Sequence, residues 1–197
     1  MEFSWRNWLI TNWKELEFKC KNCTKCGLAK TRTNVVFGYG DVKSEILFVG
    51  EGPGFHEDVQ GKPFVGRSGK LLDDMLEEIN LTRERVYIAN IVKCRPPENR
   101  DPLPEEQELC INWLRNQFYI IKPKIVVALG RIAALKIIDP DLKITKDHGK
   151  FLMKKGTWFM PTLHPAAVLR NMSKKAEYQE DFKKLKSKIE ELGIDVV

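Results

Sequence analysis

Apolar positions along the chain fall into two kinds of run. Four are short and nearly continuous: Ile46 to Val49, Val86 to Ala89, Lys124 to Leu129, and Trp158 to Leu163. They lack a helical period and read as strands, the first buried on both faces. Between them lie longer stripes at helical spacing. Residues 3–18 carry Trp5, Trp8, Leu9, Trp13 and Leu16; after Ser68, an expected cap, come Leu71, Leu72, Met75, Leu76 and Ile79. Pro104 opens a helix bearing Cys110, Trp113, Leu114, Phe118 and Ile121, a short helix covers 131–138, and 175–192 carries Tyr178, Phe182, Leu185, Ile189 and Leu192. Strand alternating with helix predicts an α/β fold, a three-layer αβα sandwich with a central four-stranded, mostly parallel sheet. The expectation is one domain over 1–197.

The polar interruptions matter most where strands end. The first strand runs into Gly50-Glu-Gly-Pro-Gly54, which turns the backbone sharply and lets it approach a ligand closely. Glu51 and Gly52 thus sit at a carboxyl end, where open α/β sheets place ligands. Asn90 ends the second strand and His164 the fourth. A carboxamide offers both a donor and an acceptor, which suits a base edge, although a turn-capping role is the alternative. Residues 55–67 read as a long loop holding His56, Glu57, Asp58 and Phe64, and loops of that length inside compact domains are usually functional. Residues 93–102 form a basic, proline-rich loop; 139–157 are turn-rich, with His148 read as incidental.

Composition adds a class. The chain has 197 residues, enough for a sizeable core, and a net charge of +6. The basic balance favours a polyanionic partner such as nucleic acid. No apolar run reaches membrane-spanning length, and Arg6, Lys14 and Glu15 break up the N-terminus, so a cytoplasmic, intracellular protein is expected. Five cysteines, Cys20, Cys23, Cys26, Cys94 and Cys110, argue against a disulfide framework. Three are spaced by two residues and can aim several thiolates at one centre, as zinc and iron–sulfur clusters both require. One tight group with two distant thiols differs from the doubled pairs of zinc modules and tilts the reading slightly toward iron–sulfur. Such a centre would pin residues 1–30 onto the core.

Gly50-Glu-Gly-Pro-Gly54, Gly61-Lys-Pro-Phe-Val-Gly66, Val86-Tyr-Ile-Ala-Asn90, Lys93-Cys-Arg-Pro-Pro97 with Asn99-Arg100, and His164-Pro-Ala-Ala167 with Leu169-Arg-Asn171 occur in order. Together they resemble a family 4 uracil-DNA glycosylase, the iron–sulfur branch of that superfamily, over almost the whole chain. The resemblance implies a [4Fe-4S] cluster on Cys23, Cys26, Cys94 and Cys110, with Cys20 spare. It implies a uracil flipped out of DNA, stacked on Phe64, paired by Asn90, and released with His164 donating to O2. It places Glu57 beside C5, against the methyl group of thymine. Other branches carry an aspartate where this chain has Gly52, so the water-positioning group is left to Glu51, Asn99 or a backbone carbonyl. Val168, Leu169 and Arg170 are expected in the minor groove, and Arg32, Lys62, Arg67, Arg95 and Arg100 on phosphates.

The rival readings are a non-catalytic iron–sulfur DNA-binding protein, a glycosylase for another deaminated base, and a redox carrier, the last disfavoured because the compact ferredoxin cysteine run is absent. A monomer acting on uracil-containing DNA is expected. The aromatic N-terminal stretch is read as a packing helix, with docking to a partner such as a sliding clamp as the alternative.

Overall fold

A computed structural model describes residues 9–195 of the chain. Its strands are β1 (Tyr39–Gly40), β2 (Ile46–Gly50), β3 (Tyr87–Asn90), β4 (Ile125–Leu129), β5 (Leu152–Lys154) and β6 (Thr157–Thr162). Its helices are α1 (Trp13–Lys21), α2 (Phe55–Gln60), α3 (Arg67–Glu78), α4 (Pro104–Ile121), α5 (Arg131–Ile137), α6 (Ile144–Asp147), α7 (Pro165–Arg170) and α8 (Lys175–Glu191). Among the described residues no helix is long and apolar enough to cross a membrane.

The sheet runs β1-β3-β2-β4-β6-β5. Its four inner strands are parallel, with Gly50 opposite Asn90 and Leu129 opposite Thr162. Side chains alternate between faces along each strand, and both faces are buried. Leu47, Val49, Val126 and Ala128 join Leu16, Ile111 and Leu114 in one core; Ile46, Phe48, Ile125 and Val127 join Leu72, Met75, Phe182 and Leu185 in the other. Helices α1, α4 and α5 therefore cover one face, and α3, α7 and α8 the other. The result is an αβα sandwich. The chain leaves β2 toward β3 on one side and returns to β4 on the other. That reversal opens a crevice at the carboxyl ends, beside Gly50.

The sheet has six strands where four were expected. The extended stretch before β2 yields β1, which pairs antiparallel with β3, and the turn-rich 139–157 contains α6 and β5, antiparallel to β6. Strands of two and three residues are too short to show an alternating pattern; they form because the parallel edges need backbone partners. The N-terminal stripe also differs. Residues 9–12 are not helical, the Asn12 side chain accepts from the Glu15 N–H, and α1 begins at Trp13 and continues through Cys20. Trp5 and Trp8 lie outside the described residues. The loop after β2 folds into α2, and α3 starts at Arg67 with Gly66 at its cap position, so Ser68 lies inside the helix and does not cap it.

Candidate active site

Gly50 ends β2 with no side chain, and the space is used. A Cβ there would lie 2.4 Å from Asn90 Oδ1 and 2.7 Å from the Phe64 ring. Asn90 is buried, and its Oδ1 has no hydrogen-bond partner. Leaving such an oxygen unpaired costs about 1–3 kcal/mol, so the site is built for a donor from outside the protein. The Phe64 ring lies 5.8 Å from the His164 ring, centroid to centroid. At the end of β4, Gly130 has φ +91, and a Cβ there would come within 2.8 Å of His164 Cβ. Asn90, Phe64 and His164 thus cluster at the ends of neighbouring strands.

The state of His164 follows from its surroundings. Its Nδ1 accepts the Ala166 N–H at 3.2 Å, which places the ring proton on Nε2. Burial is the main cause that lowers its pKa to about 4; the charge of Arg170 adds to this, and Glu57 opposes it. At neutral pH it is an uncharged Nε2–H donor.

Glu57 turns back on its own loop, where Oε1 accepts from the N–H groups of Val65 (3.1 Å) and Gly66 (3.3 Å). Its carboxylate therefore fixes the segment that carries Phe64. Glu51, half-buried at the exit of β2, has its pKa raised to about 7, first by burial and then by Asp101, against Arg131 and Arg170. Gly52 packs under Val92: a Cβ would lie 2.6 Å from Cγ2. A side chain at this position would have to displace Val92. Asn99 is not brought into the cavity set. It lies exposed, with Oδ1 accepting from Arg95 Nε at 2.7 Å.

Several basic residues expected on phosphates are engaged elsewhere. Arg32 donates to the Cys23 carbonyl (2.7 Å) and to Cys94 Sγ (3.3 Å). Arg100 forms a two-pronged pair with Glu106 at 2.7 and 2.9 Å. Arg95 lies over the exposed Phe55 ring, Lys62 lies over Tyr39, and Arg67 is exposed at the start of α3. Val168 corrects an expectation: it is fully buried in the core beneath α7, so it is not a groove wedge, whereas Leu169 and Arg170 are exposed. A six-residue helix that docks one face must hide Val168 and present its neighbours.

A second pocket, on the other side, is lined by Cys20, Cys23, Cys26, Cys94 and Cys110 together with Arg32, Lys93 and Trp113. Among the described residues no three metal-ligating side chains converge on a single-ion site, although all five cysteines line this one pocket. Cys110 Sγ accepts the Lys93 N–H at 3.2 Å. Burial pushes the Cys110 thiol up to about 12, while Lys93 pulls it down. Soft sulfur donors, N–H···S bonds and a nearby cation suit a negatively charged, thiolate-bound metal group.

Sequence reasoning missed three groups. Lys93 is entirely buried and donates to Gln117 Oε1 at 2.7 Å; its place between apolar Val92 and Cys94 was the available signal. His148 is not incidental, because its Nδ1 lies 2.9 Å from the buried Asp181, which also accepts from the Thr162 hydroxyl at 2.7 Å. The third is Arg83, which no pattern marked.

A carboxamide and an imidazole beside one aromatic ring, at the carboxyl ends of a parallel sheet, are groups suited to a flat heterocycle, and the class they point to is an α/β protein that binds a nucleobase. Comparison with known proteins narrows the class. The family model described as the Uracil DNA glycosylase superfamily matches residues 37–188, and the chain belongs to that superfamily. It is 49% identical over 172 residues to a type-4 uracil-DNA glycosylase of Archaeoglobus fulgidus, covering 83% of this chain and 86% of the relative. A type-4 uracil-DNA glycosylase of Thermotoga maritima is 47% identical over 179 residues (89% and 93% covered), and one of Sulfurisphaera tokodaii is 47% identical over 174 (84% and 79%).

Proposed function

We propose that the chain is a DNA-repair glycosylase that removes uracil by hydrolysing its N-glycosidic bond. The observation that carries the reading is the unpaired, buried Oδ1 of Asn90 beside the Phe64 ring. Uracil presents an N3–H donor and an O4 acceptor on one edge. Asn90 meets them with Oδ1 and its NH₂, while cytosine presents the opposite order and leaves both amide groups opposed. The base reaches this cavity only when flipped from the helix, and Phe64 supplies a face to stack on.

The C1′–N1 bond breaks with its electron pair moving onto uracil. His164, neutral and protonated at Nε2, donates to O2 and stabilises that charge. Water adds to C1′ and loses a proton. Glu51, with a pKa near 7, is suited to position that water and take the proton. Asn99 drops behind Glu51, since its amide oxygen is committed to Arg95. Glu57, holding the Phe64 loop, shapes the cavity wall that a thymine methyl would meet. Leu169 and Arg170 are the exposed groups left to enter the gap behind the flipped base.

Cys23, Cys26, Cys94 and Cys110 would hold a [4Fe-4S] cluster, leaving Cys20 as a buried fifth thiol. When bound, the cluster supplies a four-point crosslink between the N-terminal segment, the loop after β3 and α4. DNA is the partner this activity implies, and the chromosome inside the cell is its place of action. The test is incubation with oligonucleotides carrying one uracil, cytosine or thymine, followed by alkali. Strand breaks at uracil alone are expected; intact uracil strands would sink the reading.

A further inference from the structure

Phe64 adopts φ +52, a left-handed conformation costly for a bulky side chain. Something must hold it there. One restraint is Glu57, gripping the two N–H groups that follow. The other lies on the opposite side of the loop. Arg83, in the turn between α3 and β3, donates from Nη2 to the Phe64 carbonyl at 2.7 Å and from Nη1 to the Pro63 carbonyl at 3.3 Å. Its Nε and Nη2 both reach Asp73 Oδ1, each at 2.7 Å. The Arg83 side chain is only 16% exposed. Asp73 belongs to α3, and so does Gly69, where a Cβ would fall 1.8 Å from the Phe64 carbonyl oxygen. The Phe64 backbone is thus seated directly on α3.

We infer that Arg83, oriented by Asp73, is a positioning residue that holds Phe64 in its strained conformation so that the ring faces the base cavity. The inference rests on the reading of Phe64 as the stacking ring. A planar guanidinium can donate to two successive carbonyls and a carboxylate at once; a lysine ammonium cannot do so with the same fixed geometry. With the brace removed, the backbone can relax to negative φ, and the ring turns away from Asn90 and His164.

The test is a double-mutant cycle in the cluster-loaded full chain, with single-turnover uracil excision as the rate. Arg83→Lys should lower the rate roughly ten- to a hundredfold, the range set by losing one base–aromatic stack. Inhibition by free uracil should weaken in parallel. Affinity for an abasic oligonucleotide, which has no base to stack, should stay within about twofold. On a Phe64→Ala background the same Arg83→Lys change should cost almost nothing, because Arg83 acts through the ring. Asp73→Asn, a milder change that retains one acceptor, should give a smaller loss of the same pattern and serves if Arg83→Lys fails to fold. Equal losses with and without the ring, unchanged excision in Arg83→Lys, or abasic-DNA binding that falls with the rate would each overturn the inference. Absence of uracil release by the unmodified protein would sink the functional reading instead, and so keeps the two failures apart.

Discussion

At the scale of single residues, the site separates binding from bond breaking. In the proposed reaction His164 meets the charge that develops on the departing base, whereas Glu51 handles a water that other groups can also steer. His164→Ala is therefore expected to lose more than Glu51→Gln, about a hundredfold to a thousandfold in single-turnover rate; the reverse order would contradict this assignment. The acid–base state of Glu51 has a sign that can be checked. Its carboxylate accepts a proton only when ionised, and its pKa is near 7. Excision should rise with pH up to about 7 and level above it, and Glu51→Gln should remove that rise. His164, neutral above about 4, adds no limb near neutrality. The two shifts tilt stability in opposite directions. His164 loses stability as pH falls from 6.5 toward 4, while Glu51 loses it as pH climbs from 4.5 toward 7.

At the scale of elements, periodicity located the inner strands and the large helices because each buries a continuous or striped apolar face. Residues such as Asn90 and His164 were legible for the same reason: a polar group directly after a buried strand is conspicuous. What escaped was set by tertiary pairing. Edge strands β1 and β5 carry no pattern of their own, and α2 hides in what reads as a glycine-punctuated loop. Arg32 and Arg100 look like free surface cations until the fold brings Cys94 and Glu106 to them. Helix α7 shows the same limit, since its six residues are too few for a stripe to reveal which side docks. Its geometry makes a clean comparison. Val168→Ala should cost about 1–3 kcal/mol of stability and leave DNA affinity unchanged. Arg170→Ala should leave stability unchanged and reduce the salt dependence of DNA binding by about one unit of slope. Thermal melts and binding at several salt concentrations distinguish the two.

At the scale of the whole molecule, two devices hold the N- and C-terminal parts to the sheet. The cysteine pocket joins α1, the loop after β3 and α4, three parts that α/β winding alone would leave loosely tied. With the proposed [4Fe-4S] cluster in this pocket, chelation of iron, or Cys23→Ser, is expected to lower the melting temperature by several degrees and bleach the visible absorbance. Protease cleavage should then begin in the segment before β1, while β2 and β4 stay protected.

The second device is Asp181, whose carboxylate reaches from α8 to Thr162 and His148. Thr162 stands two positions ahead of His164, so Asp181 ties α8 to the strand that leads into the imidazole. Phe182, the next residue, lies against Phe48 of β2 with ring centroids 6.2 Å apart. Shedding α8 is therefore expected to abolish uracil excision even though every residue proposed to contact uracil would remain in the shortened chain.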